Sequence, residues 1–123
     1  MTKPRSNALS TFLKMKEEQR KIAMITAYDY SMAKCVANTK ADIILVGDSL
    51  GMVVLGYDNT LQVTMEDIIS HSAAVRRGAP DAFIIADMPY LSYHLSDQAT
   101  KQHAARLIIE GKAENITFGN NCS

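Results

Sequence analysis

The sequence predicts an α/β fold built on parallel strands, and two observations carry that prediction. Two short apolar runs, Ile43-Ile44-Leu45-Val46-Gly47-Asp48-Ser49 and Phe83-Ile84-Ile85-Ala86-Asp87-Met88-Pro89, are continuous rather than alternating and each delivers an aspartate at its end. Parallel strands covered on both faces read this way, and a carboxylate at the end of such a run has left the core for the loop face. Between these runs lie segments with helical spacing and cap residues, so that strand and helix alternate along the chain.

Taken in order, residues 11–21 are polar, with Phe12, Leu13 and Met15 forming a narrow apolar stripe, which predicts a short amphipathic helix at the edge of the domain. Residues 21–27 read as a first buried strand, which leads through Tyr28-Asp29-Tyr30-Ser31 into a helix ending near Asn38. The strand that ends in Asp48 follows, and then a long loop over 47–60 in which Gly51 and Gly56 permit close approach or unusual backbone geometry. Thr64 and the acidic Asp67 three positions on form a capping box, opening a helix with Ile68, Ser72 and Val75 on one face. Arg76 and Arg77 complement its dipole, and Gly78-Ala79-Pro80 ends it. After the strand that ends in Asp87, Ser96-Asp97 caps a further helix with Ala99, His103, Leu107 and Ile108 along one side and Gly111 as its terminator. Asn115-Ile116-Thr117-Phe118 begins a fourth strand. The whole chain, 1–123, is expected to be one partial domain, three to four β/α units after an N-terminal helix, with a divergent tail over 117–123.

A length of 123 residues falls short of the ~250 typical of a complete β/α barrel. Thirteen basic and thirteen acidic residues balance to a formal charge of zero, which argues against nucleic acid or an anionic membrane as partner and favours a small molecule. No apolar run approaches the ~20 residues that cross a bilayer. Cys35 and Cys122 have neither disulfide nor zinc-site spacing, which fits a reducing, cytoplasmic setting.

Asp48 and Asp87 are the candidate metal ligands. Placed at the tips of neighbouring strands they would stand about 5 Å apart, and two carboxylates there suit a hard divalent cation such as magnesium, which takes oxygen ligands and keeps several waters. Ser49 is placed to hydrogen-bond an oxyanion through its hydroxyl or N–H. Magnesium chelated by a 2-oxo acid would favour enolisation at the neighbouring carbon. Each Asp alone has an alternative role as a helix N-cap. Tyr28, Tyr30, Tyr90 and Tyr93 follow the first and third strands, where aromatic packing is the simplest role. His94 is the one histidine expected near the site, whereas His71 and His103 read as core or surface residues on helices. No Ser-His-Asp set, phosphate-binding GxxxxGK or dinucleotide-binding GxGxxG motif occurs.

The motifs Ile25-Thr26-Ala27-Tyr28-Asp29-Tyr30-Ser31, Leu45-Val46-Gly47-Asp48-Ser49-Leu50-Gly51-Met52, His71-Ser72-Ala73-Ala74-Val75-Arg76-Arg77-Gly78-Ala79-Pro80 and Ala86-Asp87-Met88-Pro89-Tyr90 closely resemble the ketopantoate hydroxymethyltransferase family of pantothenate biosynthesis, in register from about residue 9 to 116. The resemblance implies a β/α barrel of the phosphoenolpyruvate/isocitrate lyase type, magnesium dependence, a cytoplasmic homodecamer, and transfer of a one-carbon unit from 5,10-methylenetetrahydrofolate to 3-methyl-2-oxobutanoate to give 2-dehydropantoate. It also implies that Asp48 and Asp87 hold magnesium and contact the 2-oxo acid, and that Ser49 binds substrate.

The chain departs from the family at the fourth strand, where a Lys-x-Glu-Gly-Gly pattern is expected and Thr117 and Gly119 stand in the lysine and glutamate positions. The family's general-base glutamate falls beyond the last residue of this sequence, so no catalytic residue is assigned within it. These departures lead to the expectation of an N-terminal fragment, from a frameshift or a shortened gene model, with little activity alone. Alternatives are a non-catalytic product that assembles with a longer subunit, another lyase or aldolase of the superfamily, and a small flavodoxin-like magnesium-binding module.

Overall fold

The computed structural model describes residues 8–118. The elements run α1 (Ala8–Glu17), β1 (Met24–Thr26), α2 (Tyr30–Ala37), β2 (Ile43–Val46), α3 (Leu50–Val53), α4 (Met65–Gly78), β3 (Phe83–Met88), a 3-10 turn (Tyr90–Tyr93), α5 (Asp97–Ile109) and β4 (Asn115–Phe118). The four strands form one sheet in the order β1-β2-β3-β4, every pair parallel. A flavodoxin-like sheet would carry its first strand inside the order and reverse at a switch point. Strictly sequential parallel order is instead that of a β/α barrel wall, and the flavodoxin-like alternative falls with it.

Alternation along the strands sorts the side chains. Ile44 and Val46 on β2 and Ile84, Ala86 and Met88 on β3 are buried against the helices, joined by Ala33, Ile68, Val75 and Leu107. The opposite face, which would be the barrel interior, carries Leu45, Ile85 and Asp87, and near it Met24 and Phe118 are more than half exposed. Beneath β3, Phe12 of α1 meets Phe83 edge to face with ring centroids 5.1 Å apart, so α1 packs against the start of that strand.

Several expected boundaries shift for local reasons. Helix α1 stops at Glu17 rather than running to 21, because Gln19 takes a left-handed φ of 55° and Arg20 N–H turns back to the Met15 carbonyl. The first strand is only Met24–Thr26, and α2 begins at Tyr30 once the Asp29 carboxylate accepts from Met32 N–H. The loop over 47–60 is not free of structure: α3 lies within it, and Tyr57 N–H closes back onto the Gly51 carbonyl at 2.8 Å. The Thr64/Asp67 capping box forms in both directions. Ile108 is solvent-facing rather than on the packed side of α5, and the left-handed residue beyond that helix is Lys112 (φ 61°), not Gly111. Gly111 serves packing instead, because its carbonyl accepts from buried Ser72 Oγ at 2.7 Å and a Cβ there would lie 2.7 Å from the Leu107 carbonyl oxygen.

Arg76 lies in the last turn of α4 as expected and donates to the carbonyl of the C-cap residue Ala79, with its guanidinium turned inward beneath the sheet.

Helices α2 and α4 cross closely at Gly78. A Cβ there would sit 2.4 Å from the Tyr30 carbonyl oxygen and 2.9 Å from Ala33 Cβ, and the first of these is backbone that cannot swing away. Gly78→Ala is therefore expected to cost about 1–3 kcal/mol despite the better helix propensity of alanine. A urea midpoint equal to or above wild type would refute this.

Candidate active site

The two acidic candidates converge at the C-terminal ends of adjacent strands. Asp48 lies two residues past β2 and Asp87 is the penultimate residue of β3, not the last as the pattern implied. Because Val46 is paired with Ala86, the turn at Gly47 swings the Asp48 backbone over the neighbouring strand, and Asp48 N–H donates to Asp87 Oδ2 at 2.9 Å. Glycine at 47 allows this approach, since a Cβ there would stand 3.2 Å from Ser49 Oγ and 3.3 Å from Asp87 Oδ2. Neither aspartate caps a helix: Ser49 takes the N-cap position of α3 without a side-chain cap bond, and the helix after β3 is capped by Ser96.

The electrostatics are those of an unneutralised acidic pair. Burial pushes the Asp87 carboxyl up to about 6, with the Asp48 N–H bond opposing and the Asp48 charge reinforcing the shift. Burial also raises Asp48. Among the described residues neither carboxylate has an ion-pair partner. Both line an open cavity of about 380 Å³ together with Met24, Leu45, Ile85, Thr117 and Phe118, a size that suits a small ligand. Oxygen-only donors whose like charges nothing offsets fit a hard divalent cation. No third His, Cys, Asp or Glu joins them among the described residues, so water and ligand oxygens would complete the coordination shell.

Of the other candidates, Ser49 lies beside the pair, its Oγ 2.8 Å from the Tyr28 hydroxyl. Tyr28 is buried, whereas Tyr30 lies on the surface under the Lys34 ammonium at 5.4 Å from the ring centroid. His94 is packed between the rings of Tyr90 and Tyr93, with centroids at 4.8 and 4.4 Å, and Tyr93 in turn meets Phe118 at 5.0 Å. This aromatic group borders the cavity through Phe118, and burial, with the charges of Asp48, Tyr90 and Asp87, raises the Tyr93 hydroxyl pKa. His71 and His103 hold backbone: their Nδ1 atoms lie 2.5 Å from the Tyr28 carbonyl and 2.7 Å from the Ser92 carbonyl. Thr117, at the position of the family's lysine, pairs in register with Asp87, while Gly119 lies outside the described residues. The Tyr28 hydroxyl contact was not anticipated; the signal available was a tyrosine directly after a buried strand that faces the same loop end as Asp48.

Fold and site together define a parallel α/β protein whose four-stranded sheet has the strand order of part of a β/α barrel, with paired carboxylates at the C-terminal ends of its strands. In solved structures this arrangement of elements resembles 2,3-dimethylmalate lyase, a PEP mutase/isocitrate lyase superfamily member, with a TM-score of 0.69 at 14% identity over 96% of this chain and 39% of that one. The sequence matches the pattern of ketopantoate hydroxymethyltransferase over residues 6–121, and the chain belongs to that family. The match reaches five residues beyond Ile116, where the resemblance in the sequence faded. Similar relatives are the 3-methyl-2-oxobutanoate hydroxymethyltransferases of Listeria monocytogenes serotype 4a (strain HCC23), 57% identical over 85% of this chain and 38% of that protein, and of Bacillus cereus (strain AH187), 58% identical over the same shares. That of Exiguobacterium sp. (strain ATCC BAA-1283 / AT1b) is 54% identical over 89% of this chain and 40% of its own length. The chain thus spans about two-fifths of the length of the curated relatives it matches. Among the described residues no helix is long and apolar enough to cross a membrane.

Proposed function

We propose that this chain supplies the cation and 2-oxo-acid site of a 3-methyl-2-oxobutanoate hydroxymethyltransferase, which transfers a one-carbon unit from 5,10-methylenetetrahydrofolate to 3-methyl-2-oxobutanoate to give 2-dehydropantoate and tetrahydrofolate. The observation that carries the reading is the pair Asp48 and Asp87, joined by one 2.9 Å hydrogen bond over an open cavity and with no ion-pair partner among the described residues. In this reading the protein works in the cytoplasm as a homodecamer.

Asp48 and Asp87 would hold magnesium, which when bound polarises the keto oxygen of the substrate and acidifies its C3–H. A cation held there would offset the like charges of the two carboxylates. Ser49 donates its hydroxyl to a substrate oxygen, and Leu45 and Ile85 give the branched alkyl end an apolar wall. Loss of the C3 proton leaves an enolate carbon. That carbon bonds to the folate methylene as one methylene–nitrogen bond breaks, and water adds its hydroxyl to the same methylene carbon as the second methylene–nitrogen bond breaks. The C3 proton and the water proton end on the two tetrahydrofolate nitrogens.

The test, in a chain extended to the length of its relatives, is Mg²⁺-dependent exchange of the C3 proton of 3-methyl-2-oxobutanoate in D₂O, with formation of 2-dehydropantoate on addition of the folate. Asp48→Asn is expected to lower exchange at least 100-fold. Exchange that is equal in wild type and variant would refute the assignment. The open sheet face and the exposed Met24 and Phe118 also favour a second reading, a non-catalytic subunit assembling with a longer chain. That reading predicts no exchange by the isolated chain and co-purification with the longer subunit.

A further inference from the structure

A chain of hydrogen bonds runs from α4 into the candidate site and is not explained by the paired carboxylates. The Tyr28 side chain, only 9% exposed, places its hydroxyl 2.8 Å from Ser49 Oγ, and its backbone carbonyl lies 2.5 Å from His71 Nδ1. We propose that Tyr28 is a positioning residue for Ser49, held in place by His71, and that it sets the direction in which the serine hydroxyl donates to a bound 2-oxo acid. This rests on the reading of the site as a 2-oxo-acid site.

The directions of the bonds follow from elementary chemistry. A carbonyl oxygen only accepts, so His71 carries its proton on Nδ1 and anchors the Tyr28 backbone to α4. A phenol is more acidic than an alkyl alcohol, so Tyr28 donates and Ser49 Oγ accepts. The single serine proton is then left to point elsewhere. Ser49 Oγ borders the same point beside Gly47 as Asp87 Oδ2, 3.2 and 3.3 Å from the place a Cβ would occupy. Without the phenol, the serine rotor loses its fixed donor and is free to turn its own proton away from the ligand. The tyrosine therefore preserves a donor for the ligand in a site crowded with acceptors.

The experiment is titration calorimetry on the full chain, with Mg²⁺ alone and then with 3-methyl-2-oxobutanoate at saturating Mg²⁺. Tyr28→Phe is expected to weaken oxo-acid binding about tenfold while leaving Mg²⁺ affinity within about twofold. In a Ser49→Ala background the same substitution should have no further effect on the oxo acid. A merely structural role would weaken both ligands together and persist without the serine hydroxyl, and that result would overturn the proposal. A ligand-free measurement separates this inference from the functional reading. Falls in Tm from Tyr28→Phe and Ser49→Ala should be less than additive in the double variant, and additive falls would overturn the coupling even where ligand binds. Non-additive falls in a chain that binds no oxo acid would uphold the Tyr28–Ser49 link and overturn the oxo-acid reading instead.

Discussion

Replacing Arg76 by methionine is expected to destabilise the fold by about 3–5 kcal/mol, a large fraction of the ~5–15 kcal/mol that holds a domain together. The Arg76 side chain is 9% exposed and lies where α4 ends beneath the sheet. Nε and Nη2 donate to the Lys112 carbonyl at 3.1 and 3.0 Å, and Nη1 donates to the carbonyls of Ala79, Pro80 and Ala82 at 3.3, 3.0 and 2.7 Å. Nη2 also pairs with Glu114, whose other carboxylate oxygen accepts from Ile84 N–H at 2.7 Å. One side chain thus joins the end of α4, the loop into β3 and the approach to β4. Methionine keeps the bulk of the stem but removes the guanidinium donors from these carbonyls and the charge partner from a largely buried carboxylate. Urea denaturation measures the loss, and Arg76→Lys should recover only a minor part, because an ammonium cannot reproduce a planar fork with donors on both sides. A shift of the midpoint worth less than about 1 kcal/mol would show that the network is surface decoration.

Asp87→Asn should do the reverse, raising Tm at pH 7.5 in metal-free buffer by the equivalent of about 0.5–2 kcal/mol while abolishing the response to Mg²⁺. With its carboxyl held up to about 6 by burial, Asp87 binds its proton more tightly folded than unfolded. Its contribution to stability is therefore most favourable below its ordinary value of 3.8 and declines as pH rises through about 6, above which the ionised group lies next to Asp48. Asparagine carries no charge and its amide oxygen can still accept the Asp48 N–H bond. The stabilisation should be largest above pH 7 and fade towards pH 4 in a Tm series. Mg²⁺ should raise the Tm of wild type and not that of the variant, and a variant that melts lower at pH 7.5, or that still responds to Mg²⁺, would refute the acidic-pair reading.

Much of this was legible in the residues. The apolar runs that end near Asp48 and Asp87 announced parallel strands. Burial nevertheless alternates along β2, and β1, expected to be buried, is largely exposed, because among the described residues only one face of the sheet is covered by helices. The Thr64/Asp67 capping box and the Ser96 cap are local chemistry, decided within four residues, and both appear as written. Strand ends and helix ends were less legible, since the turn at Gln19, the α3 turn within 47–60 and the left-handed Lys112 depend on how neighbouring elements pack.

By itself, then, the sequence determined the alternation of strand and helix, the two aspartates that leave the strand ends and the family to which the chain belongs, all properties encoded by contiguous residues. Only the tertiary structure decided that the strands follow one another in sequential order, that Asp48 N–H closes onto the Asp87 carboxylate, that Tyr28 reaches Ser49 and that Arg76 turns inward to Glu114. Each of these contacts joins residues at least 21 positions apart. Which distant groups meet is settled by crossover direction, strand register and the depth at which helices pack, and no local pattern of residues encodes those distances.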